Sequence, residues 1–423
     1  MNSTDTRGKG HGSDARPSND LTQRSLDWAG HLLTGARLEV LADDGRRWTL
    51  GAGEPHATIR VRGAAVLPRI LLHPGMRFGE AYMDGRWEPA DNLLEVLEVG
   101  LHLLAALERN RWLRRLKRAA AWLTESNSPR RARRNASHHY DIDFDLYRRF
   151  LDADLHYSCA YFRDASMTLE AAQQAKCAHI AAKLDLKPDA RVLDIGCGWG
   201  SLAMYLAQHH HARVVGITLS EEQYKVATRR AAERGLAGRV EFRVQDYRRV
   251  EGCFDAIVSV GMFEHVGRPQ YPAFFRRVYE LLADDGTVLL HSIGRSTPPG
   301  GSNAWVQKYI FPGGYVPAAS EMVAAVEPAG LIVTDLEIWR LHYARTLAEW
   351  HRRFQTARAD IAARMGERFC RMWEFYLQVS EAGFRWGDLV VFQLQMSRTL
   401  ERLPLIRDYL YRRAIPVRAR EVA

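Results

Sequence analysis

Val192-Leu-Asp-Ile-Gly-Cys-Gly-Trp-Gly200 decides how this chain is read. A buried-looking apolar run ends in Asp194, and then Gly196, Gly198 and Gly200 alternate with Cys197 and Trp199. Glycines at that spacing let the backbone turn sharply and leave no side chain between it and a flat nucleoside ligand. The apolar periodicity of residues 202–207 predicts a helix, so the loop lies at a strand-to-helix switch. Its D-x-G-x-G-x-G order differs from the G-x-G-x-x-G that grips a pyrophosphate. The bland alternative is a glycine-rich turn that binds nothing.

Outward from this loop the chain alternates strands and helices. Residues 191–195, 213–217, 240–244, 256–260 and 287–292 read as strands. Residues 221–235 read as a helix with Ser220 as N-cap and Gly235 as its stop. That rhythm predicts an α/β fold, a mostly parallel, doubly wound Rossmann-like sheet whose ligands bind beyond the carboxyl ends of the strands. Loop and rhythm together resemble the class I S-adenosylmethionine-dependent methyltransferases, whose cofactor carries no phosphate. Most such enzymes end the second strand in a carboxylate that binds the ribose hydroxyls. Here Thr218, Leu219 and Ser220 stand there, and Gln223 is the next useful polar side chain; an amide can both donate to and accept from a diol. At the end of the third strand Asp246 is placed to meet an adenine amino group and Tyr247 to cover the ring, although a plain turn would use the same residues.

The chain has 423 residues, 47% of them apolar, enough for two or three domains with real cores. No run of 18 uncharged apolar residues exists, so no transmembrane helix is expected. The polar first 22 residues read as a disordered tail without a secretory h-region. Five scattered cysteines without C-x-x-C spacing point to reduced thiols in a cytoplasm, and to neither a disulfide frame nor a metal site. Cys177, Cys253 and Cys370 are taken as structural.

The net charge of +9 favours an anionic partner. Ten Lys/Arg against the single acid Glu125 fall between Arg109 and Arg134. Within residues 111–123, Trp112, Leu116, Ala119 and Leu123 keep helical spacing amid arginines. A basic amphipathic helix suits an anionic lipid surface, where each charge contributes about 1 kcal/mol; a solvated linker helix would look the same. No RNA-binding motif supports nucleic acid as the partner. Residues 23–107 read as a small α/β unit with a lipid- or membrane-associated role, three alternating strands and an apolar helix over 93–107. Residues 108–136 form a basic helix and linker, and 137–415 the catalytic unit.

Seven stretches in order then resemble the cyclopropane-fatty-acyl-phospholipid synthases and the related mycolic acid cyclopropane synthases. They are Ser137-His-His-Tyr-Asp141, His156-Tyr-Ser-Cys-Ala-Tyr-Phe162, the glycine loop, Gly261-Met-Phe-Glu-His-Val-Gly267, His291-Ser-Ile-Gly294, Tyr309-Ile-Phe-Pro-Gly-Gly314 and Leu341-His-Tyr-Ala-Arg-Thr-Leu347. The resemblance covers residues 137 to 415, and the small first unit is similar to that of the bacterial phospholipid enzymes. It implies S-adenosylmethionine contacts at Tyr157, Ser158, Asp194, the loop 196–200, residues 218–223, Asp246, Tyr247 and Val260. It also implies a bound bicarbonate surrounded by the catalytic set Cys159, Glu264, His291, Ile293 and Tyr343. By the same likeness the substrate is an unsaturated phospholipid acyl chain at the inner face of the membrane, and the enzyme is a peripheral homodimer.

Such chemistry needs those residue types. An alkene attacked by a sulfonium methyl becomes a carbocation, and ring closure needs a base close by with water kept out. Tyr343 would orient the anion and offer a π-face to the cation. A carboxylate beside an anionic base repels it unless a proton is shared, so Glu264 is expected to titrate high. Taken singly, Cys159, His291 and Tyr343 would each read as packed core residues. Glu264 follows apolar Met262 and Phe263, and a carboxylate in that company needs a partner. Trp305, Tyr309, Ile310 and Phe311 read either as an acyl tunnel or lid or as ordinary core; His265 and Tyr161 stay unassigned. The rival readings are a fatty-acid C-methyltransferase giving a methylene or methyl-branched chain, a small-molecule methyltransferase, and an inactive lipid-binding homologue.

Overall fold

The computed structural model describes residues 21–108 and 144–412. The basic helix and linker expected over 108–136, the motif at 137–141 and most of the expected tail lie outside the described residues. Helix α1 (Leu21–Leu32) already begins within the tail's expected span, and buries Thr22, Leu26 and Ala29.

The first unit holds a four-stranded sheet in the order β2-β1-β3-β4. Strands β1 (Ala36–Ala42) and β2 (Arg47–Ala52) pair antiparallel across the turn at Gly45, whose φ of +85° only glycine adopts readily. Strand β3 (His56–Val61) runs parallel to β1, and β4 (Trp87–Pro89) closes the sheet antiparallel to β3. Between them lie α2 (Val66–Leu72) and α3 (Pro74–Met83); α4 (Leu93–Glu108) follows β4.

The second unit opens with α5 (Phe144–Phe150) and α6 (Leu169–Leu184), which Thr168 caps through its side chain. A seven-stranded sheet follows in the order β10-β11-β9-β8-β5-β6-β7. Strands β5 (Arg191–Ile195), β6 (Arg213–Thr218), β7 (Val240–Val244), β8 (Phe254–Val260) and β9 (Leu282–Arg295) are parallel. After Arg191 every residue of β5 is buried, as a strand covered on both faces requires. Helices α7 (Ser201–His210), α8 (Glu221–Glu233) and α9 (Tyr271–Leu281) supply the crossovers. From β5 the chain winds first to β6 and β7, then back to β8 and β9. The glycine loop therefore leaves β5 at the switch point, where such sheets bind ligands.

Two antiparallel strands complete the sheet. Strand β10 (Ile332–Trp339) is its edge, and β11 (Leu389–Ser397) inserts between β10 and β9. Between them the chain makes a helical hairpin, α12 (His342–Met365) and α13 (Glu367–Arg385), turning at Gly366 with φ +85°. Helix α13 packs on α3 and α4, and α12 on α5. A single apolar core, including Trp87, Tyr147, Trp305, Trp350 and Trp373, runs through both units. Short helices α10 (Ala304–Tyr309), α11 (Ala319–Val326) and α14 (Tyr409–Arg412) occur in the connections. Among the described residues no helix is long and apolar enough to cross a membrane.

Candidate active site

The loop after β5 shows why it is built of glycine. Gly196, Gly198 and Gly200 take φ values of +83°, +54° and +81°. A Cβ on Gly196 would lie 2.8 Å from Met262 Cβ, and one on Gly200 2.5 Å from Phe242 Cζ. The amides of Gly196 and Cys197 both donate to Ile217 O on β6, which locks the turn to the neighbouring strand. Gly200 serves as N-cap of α7, so its task is the entry into that helix.

A cleft opens over this loop. Asp194, Gly196, Cys197, Gly198 and Trp199 form its floor. Thr218, Leu219 and Gln223 from the end of β6 form one wall, and Asp246 and Tyr247 from the end of β7 the next. Val260 at the end of β8, and Tyr157 and Ser158 from the segment before α6, complete it. Gly200 and Ser220 stand just outside and act on backbone structure; Ser220 Oγ caps α8 by accepting from Gln223 N at 3.2 Å.

Thr218 Oγ1 donates to Gln223 Oε1 at 2.7 Å, which leaves the Nε2 donors of that amide for a ligand's hydroxyls. Asp246 is bound twice by Arg248, at 2.8 and 2.6 Å, and Arg248 lies 5.2 Å from the centre of the Tyr247 ring. Its carboxylate thus meets any ligand already paired with a guanidinium, which the sequence did not foretell. Asp194 is 2% exposed, with Oδ2 unpartnered, and burial raises its pKa to about 7 against the pull of Lys176.

The five residues expected around bicarbonate lie behind the cleft; none of them lines it. Glu264 sits in the turn after β8, and its Oε1 accepts from Ile293 N at 2.6 Å. Glu264 Oε2 is buried without a well-formed hydrogen bond, and burial lifts the carboxyl to about 7 although its own backbone amide, the Ile293 amide and the nearby Ser292 hydroxyl work the other way. His291 lies two residues before Ile293 on β9, hence on the same face of the strand. Burial drops its pKa to about 3, so the ring is neutral; its Nδ1 lies 3.1 Å from Gln393 Nε2, and its edge meets Trp339.

Cys159 is fully buried, which pushes its thiol pKa far up. Its neighbour Ala160 N donates to Thr346 Oγ1 on α12, the helix that carries Tyr343. Tyr343 packs on Phe384 and meets the edge of Trp350, which stacks on Tyr157. Glu264 and Ile293 are thus in direct contact, His291 shares their strand, and Cys159 and Tyr343 are tied together through α12.

Among the open residues, His265 lines the cleft and burial lowers its pKa to about 4. Tyr161 stacks on both His179 and Trp339 instead. Trp305 is core, packed against Phe375 of α13 and against Gly79 of α3. Cys177 is more than packing: its Sγ lies 3.2 Å from His156 Nε2, while Asp152 holds His156 Nδ1 at 2.8 Å. Sequence reasoning passed over Lys176, which is 1% exposed, lines the cleft and donates to Ser158 Oγ at 2.9 Å. No local signal marked it, because an alanine-rich helix that carries both Lys176 and Lys183 does not say which side of it turns inward.

A family model described as mycolic acid cyclopropane synthetase matches residues 127–394. The chain is 41% identical over 353 residues to the cyclopropane-fatty-acyl-phospholipid synthase of Escherichia coli (strain K12), covering 82% of this chain and 90% of that one. It is 36% identical over 404 residues to the tuberculostearic acid methyltransferase UfaA1 of Mycobacterium tuberculosis, covering 90% and 93%. A crystal structure of mycolic acid cyclopropane synthase CmaA1 complexed with SAH and CTAB superposes with a TM-score of 0.59 at 32% identity, covering 62% of this chain and 97% of that one.

Proposed function

The chain belongs to the mycolic acid cyclopropane synthetase family of S-adenosylmethionine-dependent methyltransferases, and from that membership we propose that it cyclopropanates unsaturated phospholipid acyl chains with the help of bicarbonate. One observation carries the bicarbonate reading: Glu264 is anchored on the Ile293 amide while its second oxygen is buried without a well-formed hydrogen bond beside the neutral His291 strand. A buried unpaired oxygen is costly unless a ligand or a proton meets it.

The residues fit both groups. The glycine loop leaves its backbone open to a nucleoside, Gln223 would meet the ribose hydroxyls, and Tyr247 would cover the base. When bound, the sulfonium supplies an electrophilic methyl carbon, and bicarbonate a base for the proton lost on ring closure. The glycine loop, Gln223 and Tyr247 would hold the sulfonium so that its methyl carbon passes to the olefin's π pair, with S-adenosylhomocysteine as leaving group. Glu264, Ile293 and His291 would hold the base that takes the proton when the electron pair of a methyl C–H bond closes the ring.

The protein's part is to hold and to exclude. Glu264, with its raised pKa, carries a proton it can share with an oxyanion. The neutral His291 ring acts as a hydrogen-bond donor or acceptor without competing charge. Tyr343, Trp350 and Tyr157 present aromatic surface that keeps water away and faces a cation favourably. The experiment is turnover of monounsaturated phospholipid vesicles with S-adenosylmethionine, followed by mass and NMR analysis of the lipid. Cyclopropyl protons upfield of the methyl signals are expected; a saturated or methylene-bearing branch in their place overturns ring formation.

A second reading is favoured by one finding. The relative UfaA1 is named for methyl transfer to a fatty acid, and it aligns over more of this chain than the Escherichia coli synthase does. It would use the same cation and quench it differently, and the same product analysis separates the two.

Access to a membrane-held acyl chain is read from the basic stretch at 109–134. Binding to vesicles containing anionic lipid is expected to fall steeply between low and high salt. Salt-independent binding would remove the electrostatic part of that reading.

A further inference from the structure

Helix α6 grips the segment before it at several points along one face. Gln173 Nε2 donates to Ser158 O at 3.0 Å, Lys176 Nζ to Ser158 Oγ at 2.9 Å, and Cys177 Sγ meets His156 Nε2 at 3.2 Å. Positions three and four apart lie together on a helix, so the contacts act as one clamp. On the other side of His156, Asp152 accepts from the backbone amide at 2.8 Å and holds the ring nitrogen at 2.8 Å. The clamped segment carries Tyr157 and Ser158 on the cleft and Cys159 behind it. The offset between the two sites is therefore set by α6.

Lys176 does more than complete the clamp. Its ammonium is buried, and among the described residues no carboxylate comes within ion-pairing distance of it. A buried charge left without a direct counter-charge is expensive. Its field acts at once on Asp194 under the cleft, on Cys159 and on His291. A cation there repels a sulfonium and calls for an anion close by, which is either the carboxylate of the cofactor's methionine part or a separate oxyanion; S-adenosylhomocysteine keeps that carboxylate, so its affinity for variants of Lys176 tells the two apart. Burial lowers its pKa, and the nearby carboxylates Asp152 and Asp194 work the other way.

We infer that Lys176 is a positioning residue that supplies the positive potential holding an oxyanion between Cys159, Glu264 and His291. This rests on the bicarbonate reading above. The role needs the charge, where a purely structural lysine would need only its hydrogen bond.

The test compares wild type with Lys176→Met, which keeps the length and loses charge and donor, and Lys176→Gln, which keeps a donor for Ser158. Bicarbonate dependence is titrated in buffer stripped of carbon dioxide, S-adenosylhomocysteine affinity by calorimetry, and folding by melting. Both variants are expected to raise the half-saturating bicarbonate at least about tenfold, with S-adenosylhomocysteine affinity changed less than about threefold. The inference is overturned by unchanged bicarbonate dependence, by rescue in Lys176→Gln alone, or by parallel loss of both affinities. It is also overturned if neither variant folds, since Lys176 would then serve folding alone. Turnover independent of bicarbonate in the wild type would sink the bicarbonate reading itself, a separate and distinguishable failure.

Discussion

At the scale of single residues, Glu264 gathers the most chemistry. Its folded pKa of about 7 exceeds the ordinary 4.5, so the folded protein binds that proton more tightly than the unfolded chain does. The stabilisation is complete below about pH 4.5 and is lost as pH rises through about 7. Glu264→Gln should therefore gain stability relative to wild type as pH rises through that window, by on the order of 3 kcal/mol at most. Denaturant melts of both proteins at pH 5 and pH 8 read the difference directly; an equal gap at the two pH values would mean the buried acid is not the neutral species. The same variant should lose turnover and bicarbonate affinity, and unchanged values would remove Glu264 from the reaction. Gln223 offers a cleaner probe of the cofactor. Gln223→Ala should weaken S-adenosylhomocysteine by about tenfold with little change in melting, because it deletes donors facing the cleft; wild-type affinity would show that the ribose is held elsewhere. Glu264 was legible in sequence because apolar Met262 and Phe263 leave a carboxylate needing a partner. Lys176 was not, since nothing local tells which lysine of a helix points inward until the segment it grips is in place.

At the scale of elements, the turn from β5 into α7 carries the fold's central constraint. Gly200→Ala combines a φ of +81° with a Cβ 2.5 Å from the Phe242 ring. The left-handed conformation alone costs roughly 1–2 kcal/mol, and Phe242 is itself buried in an apolar cluster of the second unit. A drop in melting temperature is expected together with loss of S-adenosylhomocysteine binding; an alanine variant that melts and binds like wild type would contradict this geometry. The parallel half of the sheet was readable because its strands are short apolar runs punctuated by caps and glycines. Residues 191–195 and 240–244 are strands to the residue. The antiparallel half was not. Residues 389–397 alternate Phe392, Leu394 and Met396 with Gln393 and Gln395, the pattern of a half-solvated strand. In the fold both faces are covered, with Gln393 turned to His291 and Gln395 to the Lys183 carbonyl. Only the long α12–α13 hairpin, which returns the chain to the middle of the sheet, makes those glutamines internal.

At the scale of the whole molecule, the small first unit reaches the site through packing. Gly79 of α3 lies so close to Trp305 that a Cβ there would stand 2.6 Å from its Nε1 and 2.9 Å from Phe375. Glu80 beside it binds Lys308 Nζ at 2.6 Å and Tyr309 OH at 3.0 Å, which holds its carboxyl below the usual range. Segment 304–311, open in sequence between lid and core, is core at Trp305 and Ile310, with Tyr309 and Phe311 packed against it. There Phe311 meets the edge of Tyr376, whose hydroxyl lies 2.7 Å from that of Tyr157 on the cleft. The contacts run without a break from α3 to the cofactor, although no residue of the first unit lines the cleft. Gly79→Leu should push Trp305 and Phe375 aside and move Phe311 and Tyr376 with them. The expected result is a loss of several fold in turnover on lipid vesicles with a smaller loss of S-adenosylhomocysteine affinity, because the displaced groups reach the cleft through Tyr157 and not through β5 and its loop. Glu80→Ala should lose less, since it removes an ion pair half open to solvent and leaves the aromatic packing intact. Were Gly79→Leu to fold and turn over like wild type, the first unit would be docked beside the catalytic unit without steering it. Were cofactor affinity to fall as far as turnover, the disturbance would have spread through Tyr157 into the cleft, and the expected difference between the two readouts would fail.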